Sequence, residues 1–243
     1  MKLIGRFVFW LALLLAQFLS VCLLAWHLLV QINFAYPLGY RLLHLEKQIA
    51  KFAPLNFYKH DFEYTTPQEH WRLFASICDS IQHGGRGLAE IAYSVPGGAA
   101  VPLMHQSEIT HLQDVSNLVD YFYKVGVLAA VVWFILFSIV LERRMDAPSL
   151  KQIFSGIGFC VGLIGGMVFW IGPVEVFYWF HVKIFPDGHQ WFFYYEESLM
   201  TTLMKAPDIF AFIAVILLGV IVFLWSISAY GMKFLLAFRR SEN

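Results

Sequence analysis

The sequence predicts an α-helical polytopic membrane protein in which four transmembrane helices carry a small extracytoplasmic cap. Three observations predict this class. Of the 243 residues, 59% are hydrophobic and only 14% are charged, unlike a soluble globular protein. Four apolar stretches approach or exceed the roughly 20 residues that a bilayer-spanning helix needs. The first two stretches are separated by residues 31–120, a segment too long to be a plain loop.

These stretches and their connections divide the chain into six parts. Transmembrane helices are predicted at residues 1–30, 121–141, 153–180 and 209–230, with the cap at 31–120 and a second extracytoplasmic loop at 181–208.

Basic residues predict the orientation of the chain. They lie before the first apolar stretch, between the second and the third, and after the fourth. The positive-inside rule therefore predicts a multi-pass protein of the cytoplasmic (inner) membrane, with both termini in the cytoplasm and the cap outside it. These residues are Lys2, Arg6, Arg143, Arg144, Lys151, Lys233, Arg239 and Arg240.

The cap is predicted to be mainly helical. Residues 37–52 have the periodicity of an amphipathic helix. A second helix is predicted to begin after Thr66, with Glu69 three residues beyond this cap, and to end near Gly84. Residues 87–94 and 99–104 have the pattern of a short β-hairpin around Pro96.

The third apolar stretch carries Gly158, Gly162 and Gly166 at four-residue spacing, which predicts close backbone packing against another helix. The formal net charge is zero, so nothing indicates nucleic-acid binding. The three cysteines are too dispersed for a disulfide framework, and the sequence lacks a zinc-type Cys/His spacing. We therefore expect no metal site.

Two histidines are candidates for chemistry at the membrane border. Ionisable side chains at that depth are costly, and histidine titrates near neutral pH. His111 shares one helical face with Glu108 and Asp114 at three-residue spacing, and a carboxylate there would orient its ring. His181 follows the third apolar stretch at headgroup depth. Their approach requires a bend, a tilt or a cap that folds down.

Simpler interpretations remain open for each of these residues. An interfacial histidine is often only a headgroup contact, and Asp114 could simply stabilise its helix. The aromatic run at residues 191–195 is typical of interface packing as well as of a substrate wall. Seven further histidines are interpreted as incidental: His27, His44, His60, His70, His83, His105 and His189.

Two sequence strings carry a family resemblance. Residues 108–115 read EITHLQDV, which resembles the E-I-x-H-M-x-D-V element of the lipoprotein intramolecular transacylase family. The second block of that family resembles FH at 180–181, FP at 185–186, WFF at 191–193, LM at 199–200 and PDIF at 207–210. The chain departs from the family at Ser107, Ser116 and Pro186, where many members have Arg, Lys and Phe.

The resemblance implies an activity and its residues. Members move the sn-2 acyl chain of an S-diacylglyceryl cysteine to the α-amino group of the same residue, which yields a lyso-form lipoprotein. The resemblance implies that His111 and His181 are catalytic, and Asp114 is expected to orient His111. Diacylglyceryl lipoproteins are then the substrate and membrane lipids are contacts, with no cofactor. The residues expected to contact substrate are Glu108, Phe180, Phe185, Trp191 and Phe192.

Two other classes of function compete with this interpretation. A non-enzymatic envelope scaffold would bind a partner through its cap and would need no histidine pair. A histidine-ligated haem protein fits poorly, because only His27 lies within a predicted span. No serine or cysteine nucleophile stands beside an evident base, which favours direct acyl transfer over an acyl-enzyme. The sequence predicts no oligomeric state.

Overall fold

The computed structural model describes residues 3–95 and 97–241. Its helices and strands follow in the order α1 (Leu3–Val30), α2 (Tyr36–Leu42), α3 (Leu45–Phe52), α4 (Pro67–Gln82), β1 (Ala92–Tyr93), β2 (Val101–Pro102), α5 (Gln106–Glu142), α6 (Leu150–Ile171), α7 (Pro173–Ile184), α8 (Leu199–Met204) and α9 (Asp208–Ser241).

Four helices in the described part of the chain are long and apolar enough to cross a membrane. The segments are Ile4–Val30, Gln106–Glu142, Leu150–Ile171 and Asp208–Arg239. They confirm the predicted class, a polytopic helical membrane protein with four spans. The predicted second span, 121–141, is the C-terminal part of the longer helix α5.

The chain forms two compact units. The bundle unit consists of Met1–Ala25, Lys124–Ile184 and Gly219–Asn243, and the cap unit consists of Trp26–Tyr123 and Phe185–Leu218.

The bundle unit has an aromatic and aliphatic core contributed by α1, α5, α6 and α9. Within it, Gln17 is 1% exposed, and its amide donates a 2.7 Å hydrogen bond to the Ser228 hydroxyl. An amide in an apolar helix bundle needs such a partner, since lipid offers none. The core residues are Trp10, Leu13, Val21, Phe137, Val140, Ile153, Trp225, Ala229 and Met232.

The predicted third span is divided into two helices. α6 ends at Ile171, Gly172 takes a φ of 101°, and α7 begins at Pro173. A left-handed residue followed by proline is a combination that terminates a helix, because only glycine adopts that φ freely. The predicted segment 153–180 therefore consists of most of α6 followed by the separate helix α7.

The predicted packing of the glycine face finds no partner helix among the residues that the structure describes. A Cβ built on Gly158, Gly162 or Gly166 would meet no atom within 4 Å among the residues that the structure describes. These glycines lie on an open face of α6. Four-residue spacing shows that a close approach is sterically allowed, but it does not supply the neighbouring helix.

The core of the cap unit is built around buried tyrosines. The ring of Tyr36 stacks on Phe74 at 3.9 Å between centroids, and its hydroxyl donates to the Leu203 carbonyl at 2.7 Å. Gly39 lies where a Cβ would be 2.7 Å from the Ile209 side chain, so α2 packs closely against the start of α9. These contacts join distant parts of the sequence into one core.

The helices of the cap follow their sequence signals with one exception. α4 begins as predicted, because the Thr66 hydroxyl accepts a hydrogen bond from the Glu69 backbone at 3.3 Å. The amphipathic segment 37–52 is interrupted, since His44 adopts a left-handed φ of 54° between α2 and α3. Its apolar periodicity gave no sign of this break.

The predicted hairpin is present but short. β1 and β2 pair antiparallel, with Ala92 opposite Pro102 and Tyr93 opposite Val101. The Leu103 backbone N–H extends the pairing by donating to the Ile91 carbonyl at 2.8 Å. Pro96, in the predicted turn, lies outside the described residues.

His70 lies in the core of the cap with both ring nitrogens bonded. Its Nε2 is 2.7 Å from the Thr65 hydroxyl, which itself donates to the Phe62 carbonyl. Nε2 must therefore carry the hydrogen, and Nδ1 accepts from the Tyr40 hydroxyl at 2.9 Å. Burial lowers the pKa of His70 to about 4, partly opposed by the charge of Glu69.

This low pKa predicts a loss of stability in mild acid. Between about pH 6.5 and pH 4 the unfolded chain binds a proton that folded His70 does not, so stability falls as the pH falls. From pH 7.5 to pH 5 the loss should be about 2 kcal/mol. His70→Gln, whose amide does not titrate, should lose about 2 kcal/mol less over the same interval when unfolding is followed in detergent.

His60→Gln is the matched control, because it makes the same substitution at an exposed histidine of the cap unit. If the stability of His70→Gln and that of the wild type depended identically on pH, the acid-induced loss of stability could not be assigned to His70.

Candidate active site

The site is built on one face of α5 that carries Glu108, His111 and Asp114. Residues three apart on a helix are neighbours on its surface. All three belong to the cap unit, and each contacts the segment of residues 185–198, here called the 185–198 segment. This segment has no helix or strand, so side-chain contacts largely determine its position.

Glu108 fixes the start of α5. Its Oε2 accepts a 2.5 Å hydrogen bond from the backbone N–H of His105, the residue before the helix. A glutamate at the third helical position commonly reaches back in this way, satisfying an N–H that the helix leaves without a partner. The side chain is 0% exposed.

The second oxygen of Glu108 ties the 185–198 segment to α5. Oγ of Ser198 donates to Oε1 of Glu108. Ser198 also precedes α8, and its Oγ accepts a 2.8 Å hydrogen bond from the Thr201 backbone. Both oxygens of Glu108 are thus used within the protein, which favours a supporting role over the predicted contact with substrate.

A buried lysine contributes to the electrostatics around Glu108. The Lys59 ammonium donates a 2.7 Å hydrogen bond to the Leu103 carbonyl. Burial lowers the pKa of Lys59, and the negative charge of Glu108 opposes that shift. Opposite charges attract each other more strongly in a region of low dielectric, so the charge of Lys59 stabilises the buried carboxylate of Glu108.

His111 lies against two aromatic rings of the 185–198 segment. The Phe185 ring is edge-on at 4.8 Å between centroids, and the Phe193 ring is at 6.1 Å. Both phenylalanines are buried. Packed rings restrict the orientation of the imidazole, as a general acid or base requires.

Asp114 contacts a histidine that the sequence analysis treated as incidental. Nδ1 of His189 lies 2.6 Å from Oδ2 of Asp114. A carboxylate oxygen accepts, so Nδ1 carries the hydrogen of this bond. The predicted role of Asp114 in orienting His111 stays a prediction.

His181 lies on α7 in the bundle unit, together with Phe180. Nδ1 of His181 donates to the Phe177 carbonyl at 2.8 Å, so Nε2 carries the lone pair of the neutral ring. Burial lowers the pKa of His181, and the bond to Phe177 partly opposes this shift. The neutral form, which can accept a proton, is therefore favoured at neutral pH.

The structure gathers Glu108, His111, Asp114 and Phe185 in the cap unit. Trp191 and Phe192 belong to the same unit, with their ring centroids 6.2 Å apart. His181 and Phe180 belong to the bundle unit, so the predicted approach of His111 and His181 stays a prediction.

Three residues of the site were not found from the sequence. Ser198 had a usable signal, since a serine before a short apolar run is a common helix cap. Phe193 had a weak signal, since it belongs to the aromatic run at residues 191–195 and to the family string WFF. His189 had none, because it lies in an irregular segment far from α5 in sequence. Within residues 3–95 and 97–241, no group of three or more His, Cys, Asp or Glu side chains is arranged to hold a metal.

The fold and this helix face define a polytopic helical membrane protein with a histidine site in its cap unit. The family model described as lipoprotein intramolecular transacylase Lit matches residues 11–207. The chain belongs to this family. It is therefore a membrane acyltransferase whose substrates are lipoproteins.

Comparison with solved structures supports the fold. The chain is similar to the in meso structure of the membrane integral lipoprotein intramolecular transacylase Lit from Bacillus cereus, a histidine-to-arginine variant. The TM-score is 0.66 at 16% identity, over 97% of this chain and 94% of that chain. At this identity the likeness shows the fold alone. No curated protein matches the sequence.

The bond between Ser198 and Glu108 predicts a specific loss of stability. Ser198→Ala removes one donor to a buried carboxylate and also the cap of α8, so the free energy of unfolding should fall by about 2–4 kcal/mol. Ser138→Ala is the matched control, because its hydroxyl only donates to the Phe134 carbonyl one turn earlier in α5.

Denaturant unfolding of both variants in detergent measures the difference. A loss in Ser198→Ala no larger than in Ser138→Ala would contradict the structural role of the Glu108 carboxylate.

Proposed function

We propose that this chain moves the sn-2 acyl chain of an S-diacylglyceryl cysteine to the α-amino group of the same cysteine. The product is a lyso-form lipoprotein with an N-acyl chain. Family membership over residues 11–207 is the observation that carries this proposal. The packing of His111 against Phe185 and Phe193 supports it, because it holds an imidazole in one orientation.

The reaction is an isomerisation. The neutral amine attacks the ester carbonyl carbon, a C–N bond forms, and the bond from that carbon to the sn-2 glyceryl oxygen breaks. The nitrogen gives up one proton and the glyceryl oxygen gains one. Donor and acceptor belong to one molecule, so holding them in attack geometry supplies much of the acceleration.

His111 and His181 are the groups that we assign to the proton transfers. One takes the proton from the attacking nitrogen, and the other, protonated, stabilises the oxyanion or protonates the leaving glyceryl oxygen. The lowered pKa of His181 suits acceptance of a proton at neutral pH. An α-amino group with a pKa near 7.7–8.0 is partly neutral under the same conditions.

The proposal gives the remaining predicted residues supporting roles. Asp114 supports His111, and Phe180, Phe185, Trp191 and Phe192 provide aromatic surface for acyl chains or neighbouring membrane lipids. Glu108 takes part by fixing the start of α5 and the end of the 185–198 segment.

We also propose that both termini are cytoplasmic and the cap lies outside the inner membrane. The positive charges of Arg6, Arg143, Arg144 and Lys233 support this orientation, since basic residues favour the cytoplasmic side. This orientation places the cap on the side where lipoproteins are anchored by their diacylglyceryl groups.

Purified protein and a synthetic diacylated lipopeptide test the reaction directly. In detergent, a lipopeptide with a free amino terminus should give an N-acyl lyso-lipopeptide of unchanged mass. The same lipopeptide with an acetylated amino terminus should not react, because its amide nitrogen has no available lone pair. Chromatography with fragmentation mass spectrometry distinguishes the isomers.

Single substitutions test the assigned histidines in the same assay. His111→Ala and His181→Ala should each abolish turnover while the protein remains folded in detergent, and His60→Ala should retain wild-type turnover. Release of free fatty acid by the wild type would indicate a lipase instead. No reaction at all would favour the scaffold interpretation.

A further inference from the structure

The 185–198 segment contacts α5 at three positions, each three residues from the next: Glu108, His111 and Asp114. Ser198 donates to Glu108, Phe185 and Phe193 pack against His111, and His189 contacts Asp114. The segment is otherwise irregular, and one backbone bond joins it to another part of the cap near its Ser198 end, where the Phe57 N–H donates to the Glu196 carbonyl at 2.9 Å.

The contact between His189 and Asp114 therefore holds the other part of the segment. In sequence, His189 lies between Phe185 and Phe193, whose rings contact His111. The backbone N–H of His189 donates only locally, to the Pro186 carbonyl at 3.2 Å. The side-chain bond to Asp114 is thus a direct polar contact between residues 186–192 and α5.

The geometry distinguishes this pair from an ordinary surface contact. The bond is 2.6 Å long, and the Asp114 side chain is only 12% exposed. His83 and Asp79 form a similar pair on α4, but at 3.2 Å and with the Asp79 side chain 76% exposed. The His189 side chain is 40% exposed, compared with 59% for His83. Exposed pairs contribute little, whereas a short bond to a mostly buried carboxylate is partly shielded from water.

We propose that His189 is a positioning residue of the acyl transfer, which with Asp114 holds the 185–198 segment against α5 and so keeps Phe185 and Phe193 packed on His111. The bond forms in either charge state of the imidazole, because Nδ1–H donates in both. This inference rests on the proposed function of His111 and gives Asp114 a role that acts on His111 through the segment.

Substitutions at position 189 can distinguish an effect of the hydrogen bond to Asp114 from an effect of side-chain size. The amide nitrogen of asparagine occupies about the place of Nδ1 in histidine, whereas that of glutamine occupies about the place of Nε2. His189→Asn should keep the bond to Asp114 and lose less than threefold in kcat. His189→Ala and His189→Gln should each lose about 10- to 100-fold in kcat with a smaller change in KM.

The packing of His111 can also be measured without an activity assay, by the rate at which its ring is chemically modified. Diethyl pyrocarbonate modifies accessible histidines, and peptide mass spectrometry gives the rate for each site. The rate at His111 should rise at least threefold in His189→Ala and His189→Gln, and stay near the wild-type value in His189→Asn. The exposed His60 serves as internal reference.

Three further variants complete the experiment. The double variant Asp114→Ala/His189→Ala should lose no more kcat than Asp114→Ala alone, within a factor of two, because the two residues act as one unit. His83→Ala, which removes the similar pair on α4, should leave both kcat and the His111 modification rate unchanged.

Each outcome decides the proposal. Wild-type kcat in His189→Gln, multiplied losses in the double variant, or lost activity with an unchanged His111 modification rate would overturn it. If His189→Ala does not fold, the comparison of His189→Asn with His189→Gln decides. If the wild type catalyses no acyl transfer, the proposed function fails, while the modification rates still test whether the pair holds the segment.

Discussion

A fully buried carboxylate is the constraint on which the site depends. Removing Glu108 from water is costly unless both oxygens are hydrogen-bonded, and the chain meets this requirement with the His105 backbone and the Ser198 hydroxyl. These two bonds fix the start of α5 and attach the irregular 185–198 segment to it. His111 lies one helical turn further along α5, and the bond from Ser198 to Glu108 holds one end of the segment whose Phe185 and Phe193 contact the imidazole.

The aromatic surroundings of His111, the proposed catalytic residue of the cap unit, are therefore formed by an irregular segment. Sequence spacing could place Glu108, His111 and Asp114 on one helical face, because helical periodicity is a local property. It could not identify His189 as the partner of Asp114, since 75 residues separate them and the segment around His189 has no periodicity. The relation of His111 to His181 depends in the same way on tertiary structure.

The fold likewise has some features that local sequence predicts and others that it does not. The four spans and the cap of α4 at Thr66 were predictable, because apolar length and capping chemistry are encoded over a few turns. The break at His44 and the open glycine face of α6 were not. A left-handed residue inside an amphipathic pattern leaves no trace in periodicity, and a glycine spacing permits packing without supplying a neighbour.

We propose that the acyl chain moves within one molecule, and a crossover experiment tests this intramolecular transfer most directly. Two diacylated lipopeptides of different peptide mass, one carrying a deuterated sn-2 chain, are mixed with the purified protein and the N-acyl products are sorted by mass. Intramolecular transfer predicts that every deuterated N-acyl chain stays on its original peptide. Deuterated chains on the unlabelled peptide would show transfer between molecules and would contradict intramolecular transfer.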